Sequence, residues 1–88
     1  MKVYAVFKEG IYRHECGGIF GLKSLAWDAA MRLIQGETDD YHSYQIVEFT
    51  LDETSIQEIH AHSSYLNEPE WIVEFRRKGE VVTIEDKS

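Results

Sequence analysis

The residues best equipped for chemistry are few and come in short-range pairs. His14 and Cys16 stand two apart, as do His60 and His62. On an extended strand such spacing puts both side chains on one face. Brought together, the two pairs would supply three imidazoles and a thiolate, a donor set that suits tetrahedral zinc. The spacing follows no zinc finger or ribbon, and solvent-exposed histidines account for it more simply. Cys16 also precedes Gly17-Gly18. A thiolate there, with His14 or His42 as base, Asp39 or Asp40 orienting it and backbone amides nearby, would be a nucleophile. A buried structural thiol is the commoner fate of a lone cysteine. So short a chain has little room for a catalytic pocket and its supporting shell. The expectation is no catalytic residue, no metal and no cofactor, with a small metal- or cysteine-dependent hydrolase kept as a second alternative.

Binding chemistry is better represented. The run Gly17-Gly18-Ile19-Phe20-Gly21-Leu22-Lys23-Ser24 has the composition of a phosphate loop entering a helix. Leu22 stands where such a loop needs glycine directly before Lys-Ser, so the motif itself is absent. A helix start with Lys23 nearby still suits a phosphate or carboxylate. Tyr12-Arg13-His14 and Tyr41-His42 mix rings with polar donors, a combination suited to a base-bearing small molecule or a protein surface. The candidate contact set is Tyr12, Arg13, His14, Lys23, Tyr41 and His42.

These groups need elements to position them. Val3, Ala5 and Phe7 alternate with Tyr4 and Val6, which predicts a strand. Glu9-Gly10 turns into a second strand over about 11–20, so the two form a hairpin, with a bulge or close backbone approach at Gly17-Gly18. Leu22, Leu25, Ala26, Ala29 and Leu33 recur at helical spacing, widened by Trp27, Ala30 and Ile34. Gly21 or Ser24 can cap that helix, and Gly36 is placed to end it in a left-handed conformation. The polar segment 37–43 reads as a loop and 44–51 as a third strand, with Val47 and Phe49 on one face and Tyr44 and Ile46 on the other. Residues 52–60 read as one or two helical turns behind an N-cap at Thr54 or Ser55. The stretch 61–70, which holds the single proline, Pro69, reads as a loop. Trp71, Val73 and Phe75 begin a fourth strand, and a turn at Lys78-Gly79 leads into a fifth over 81–84. The expected fold is α+β: one domain over 1–88, an antiparallel sheet of about five strands packed by one main helix, with a second short helix as an option.

Composition narrows the function class. Apolar residues are 43% of the 88, and 12% are Phe, Trp or Tyr, enough for one core without metal or disulfide support. A single cysteine forms no internal disulfide, which points to a reducing, cytoplasmic setting. The apolar run Val3 to Phe7 is too short for a signal core or a membrane span. With 16 acidic against 9 basic residues the formal charge is −7, which repels nucleic-acid backbones. Arg76-Arg77-Lys78 is the only basic cluster, and its place beside a turn suits plain solvation.

Taken in order, Val3-Tyr4-Ala5-Val6, Glu9-Gly10-Ile11-Tyr12, Gly17-Gly18-Ile19-Phe20, the Leu- and Ala-rich helix, Asp39-Asp40-Tyr41-His42 with Tyr44, and Val47-Glu48-Phe49 with Leu51-Asp52 form a pattern. It resembles that of small uncharacterised phage and prophage accessory domains. The resemblance covers about Lys2 to Glu53 and stops at Thr54. It implies a viral or mobile-element accessory protein in a bacterial cytoplasm, of a kind that often counters host defence by capturing a nucleotide signal or docking on a defence protein. The leading expectation is a non-enzymatic binding protein for a small nucleotide-like ligand, without nucleic-acid or membrane partners. It is expected to be a homodimer, because edge strands and surplus aromatics in so small a sheet invite pairing. The alternative is an acidic inhibitor that docks on a host protein and imitates nucleic acid.

Overall fold

The computed structural model describes residues 1–9, 14–37, 41–50 and 71–87. They form β1 (Lys2–Glu9), β2 (His14–Phe20), α1 (Lys23–Gln35), β3 (Tyr41–Thr50), β4 (Val73–Lys78) and β5 (Val81–Asp86). The strands make one sheet in the order β2-β1-β3-β4-β5, antiparallel at every junction. With α1 packed on it, this is the α+β architecture that the alternation and the single long amphipathic run predict. The turns expected over 52–60 and the loop over 61–70 lie outside the described residues.

The sheet buries both faces, because β1 and β3 alternate between two apolar sets. Val6, Tyr44, Ile46, Val73 and Phe75 face α1 and enclose Ala26, Ala30 and Ile34. Val3, Ala5, Phe7 and Val47 form a second cluster on the far face, with Ile19, Phe49 and Trp71 packed against it. Small residues on α1 let the helix sit close to the sheet, and Trp27 meets Phe75 edge-on at a centroid distance of 5.0 Å.

The β1–β2 hairpin contains the irregularity expected at the paired glycines. Val6 pairs with Gly18 and Phe7 with Cys16, so Gly17 is the extra residue of a bulge. A Cβ at Gly17 would lie 3.0 Å from Cδ1 of Leu33. A side chain at this position would press on that methyl, which would have to shift by a few tenths of an ångström. Gly18 has φ 141°, a conformation that residues with a side chain rarely adopt.

Several boundaries differ from the sequence reading, each for a physical reason. Leu22 occupies the N-cap in an extended conformation and no side chain caps the helix, so neither Gly21 nor Ser24 acts there. Gly36 ends α1 with φ −79°, right-handed and not left-handed. Gly36 N–H donates to Arg32 O at 3.1 Å, and two further carbonyls of the last turn are satisfied from β4 by Arg77, whose Nη1 donates to Ile34 O at 3.0 Å and Gln35 O at 2.8 Å. Tyr41, His42 and Ser43 belong to β3 rather than to a loop, held in register by Lys78, Arg77 and Arg76 of β4. The β4–β5 turn falls one residue later than expected: Lys78 pairs with Val81 around Gly79-Glu80. Gly79, at φ 62° and followed by a residue of negative φ, occupies the first central position of a type II′ turn.

Candidate functional site

Polar residues concentrate at one end of the sheet, and alternation divides them between its faces. On the helix face the focus is Glu37, just past α1. Its Oε1 accepts a hydrogen bond from the Tyr44 hydroxyl at 2.5 Å and lies 3.1 Å from Nζ of Lys8. Oε2 lies 3.3 Å from Nδ1 of His42, an ion pair whenever the imidazole is protonated. Tyr44 above all, then Lys8 and His42, hold the Glu37 carboxyl below its ordinary value, against the opposing pull of burial. These contacts fasten the end of α1 to β1 and β3, while Arg77 fastens the same end to β4. Lys8, His42 and Tyr44 all converge on the Glu37 carboxylate.

The far face is built differently. Ser43, Gln45 and Glu74 are buried there, Glu74 to 8% exposure. Glu74 Oε2 accepts hydrogen bonds from Gln45 Nε2 at 2.9 Å and Ser43 Oγ at 3.3 Å. Its Oε1 lies 3.0 Å from Nε of Arg76, whose Nη2 reaches Glu85 Oε1 on β5 at 2.9 Å. Arg76 thus stands between two carboxylates, hydrogen-bonded through Nη2 to Glu85, while its buried Nε lies beside Glu74 as an ion pair without a hydrogen bond. In front of it opens a groove of about 420 Å³ lined by Tyr41, Arg76, Lys78, Val81 and Thr83. That volume lies within the range of small-ligand sites. Tyr41 is 56% exposed and Val81 66%, so a ring and an apolar rim are presented to solvent. No carboxylate among the described residues pairs with Lys78.

The described residues among those singled out from the sequence, Tyr41, His42 and Lys23, do not share one site. Tyr41 lines the groove, whereas His42, its neighbour, sits on the other face against Glu37, so one small ligand cannot touch both. Lys23 opens α1 with its Nζ 3.2 and 3.3 Å from the two carboxylate oxygens of Asp86. The cleft beside it, of about 320 Å³, is lined by Lys23, Ser24, Trp27, Asp28 and Asp86. Its two carboxylates oppose an anion there. Tyr12 and Arg13 lie outside the described residues, as do His60 and His62. His14 stands opposite Glu9 on β2, and its side chain, like that of Cys16, is outside the description. Among the described residues no group of three or more His, Cys, Asp or Glu comes together to hold a metal.

Arg76, Lys78 and Thr83 were missed by the sequence reading. The signal was present: Arg76-Arg77-Lys78 lies on a strand, and period-2 alternation sends Arg76 and Lys78 to one face and Arg77 to the other. No helix among the described residues is long and apolar enough to cross a membrane. No family model, curated protein or solved structure matches the chain.

Proposed function

We propose that the protein is a non-enzymatic, phage-type accessory protein of the bacterial cytoplasm. In this reading it works as a homodimer and captures a small nucleotide-like ligand in the groove lined by Tyr41, Arg76, Lys78, Val81 and Thr83. The supporting observation is the pairing of an exposed tyrosine ring with two cations and a hydroxyl, in a chain whose net charge is −7. Tyr41 offers a face for a base, Lys78 and Arg76 offer charge to a phosphate, and Thr83 offers a donor to a sugar or phosphate oxygen. Arg76 is already oriented by Glu74 and Glu85, which lowers the ordering cost of using it. The same two carboxylates offset much of its charge, so Lys78 carries most of the attraction.

Native mass spectrometry of the purified chain with a panel of mononucleotides and cyclic dinucleotides tests this reading. The expected result is a discrete bound mass for at least one class. Lys78→Ala and Tyr41→Ala should each weaken it about tenfold or more, the equivalent of one lost contact of about 1.4 kcal/mol. Absence of any adduct at millimolar ligand, or retention unchanged in both variants, overturns the groove. Salt-sensitive association with a basic protein in place of a ligand would support the acidic inhibitor instead.

A further inference from the structure

The far face of the sheet is set out in cross-strand rows. Tyr41, Lys78 and Val81 stand opposite one another across β3, β4 and β5, followed by Ser43, Arg76 and Thr83, and then by Gln45, Glu74 and Glu85. Neighbours within a row are about 5 Å apart and successive rows about 7 Å. The first two rows hold the described lining of the groove, and the third brings two carboxylates beside it.

The two cations of the groove are therefore not equivalent. Arg76 leans towards the third row: Nε lies 3.0 Å from Glu74 Oε1, and Nη2 donates to Glu85 Oε1 at 2.9 Å. With two carboxylates on one guanidinium, Arg76 brings no surplus positive charge. Lys78, one row away, forms no ion pair with a described carboxylate. The first negative charge on a phosphate gains from Lys78, and a second meets acid. Of the two acids Glu85 is the one a ligand faces, since its side chain is 52% exposed and that of Glu74 only 11%.

We propose that Glu85 makes the groove selective by phosphate charge. The preferred ligand is a phosphate diester, with one negative charge, over the terminal phosphate of a nucleoside monophosphate, which carries about −1.5 to −2 at neutral pH. This rests on the nucleotide reading above and narrows its ligand class. Glu85 acts through Arg76: its hydrogen bond orients the guanidinium, and its charge cancels what the guanidinium would otherwise offer a dianion.

Isothermal titration at low ionic strength, where exposed charges act most strongly, provides the test. The probes are the cyclic monophosphate and the open monophosphate of the same nucleoside, for each common base, and a cyclic dinucleotide. The wild type should bind a diester about threefold more tightly than the open monophosphate of the same base, the effect of one exposed charge pair. Whichever diester binds more tightly, cyclic mononucleotide or cyclic dinucleotide, identifies the source of that phosphate. Glu85→Gln keeps an acceptor for Arg76 Nη2 and removes only the charge, so the open monophosphate should gain about threefold and the preference should vanish. The net charge of −7 acts on every anion, and Glu48→Gln controls for it. Glu48 is in phase with Tyr44 and Ile46 on the helix face, where it pairs with Lys2 at 3.3 Å, so its loss should leave the preference intact. Both variants should keep the wild-type circular dichroism spectrum. An open monophosphate bound as tightly as the diesters, a preference that survives Glu85→Gln, or one that Glu48→Gln relaxes equally, overturns the proposal and leaves the groove standing. Binding of none of the probes defeats the groove reading and this one with it.

Discussion

The two faces of the sheet use similar residues to opposite ends. At the end of α1, Lys8, Glu37, His42, Tyr44 and Arg77 satisfy one another and the helix carbonyls. Across β3 and β4, one residue out of phase, Tyr41, Ser43, Gln45, Glu74, Arg76 and Lys78 also form a network, but its outer members face a groove. Polar groups therefore mark a site only where their outer layer is left facing solvent. The helix face is a fastening, and the far face is a support with an open front.

Phe75→Ala gives the largest expected effect and tests the first half of that contrast. Phe75 is fully buried between the sheet and Trp27. Its truncation leaves a cavity beneath α1 and should cost about 3–5 kcal/mol in chemical denaturation. For a chain of this length that is a large share of total stability. A cost below that of a surface substitution would mean that α1 is not held by this core.

Glu74→Ala comes next. It removes the acceptor used by Gln45 Nε2 and Ser43 Oγ, and half of the support behind Arg76. Loss of a buried acceptor should cost about 1–3 kcal/mol. If the far face supports the groove, ligand affinity should fall as well, although Glu74 does not line it. Lost stability with unchanged affinity would break the link between network and groove.

These contrasts were only partly legible in the sequence. The two-faced pattern of β1 and β3 was open to reading because Val3, Ala5 and Phe7 alternate with Tyr4 and Val6, and Val47 and Phe49 with Tyr44 and Ile46. The Gly17 bulge was open to reading for the same reason: two glycines interrupt a strand that otherwise keeps its period. Burial of Glu74 was not, since a charge between Val73 and Phe75 in an alternating strand looks solvent-facing, and only a sheet covered on both faces takes it inside. Arg77 as a helix cap depends on a contact 42 and 43 residues away along the chain, which local pattern does not carry. Tyr41 and His42, neighbours in the contact set, are carried to opposite faces, because on a strand neighbours point apart. Among the described members, Tyr41 lines the groove.

The smallest expected effect belongs to the Glu37 fastening and follows from its titration. The carboxyl is held below its ordinary value of 4.5, chiefly by the Tyr44 hydroxyl. A group whose value is lower folded than unfolded contributes stability that is fully present above the unfolded value and is lost as pH falls through the folded one. Wild type should therefore lose stability on acidification from about pH 4.5 downward, and Glu37→Gln should lose less over the same interval. Glu37 is partly solvent-exposed, so screening keeps the difference to about 1 kcal/mol or less. Thermal melts at pH 7 and at pH 3 would measure it. The decisive comparison is with the groove: Lys78→Ala should leave this acid-dependent loss unchanged, because Lys78 and Glu37 lie on opposite faces of the sheet. An equal change in both variants would mean that the two faces are coupled through β3, and that the division between fastening and site does not hold.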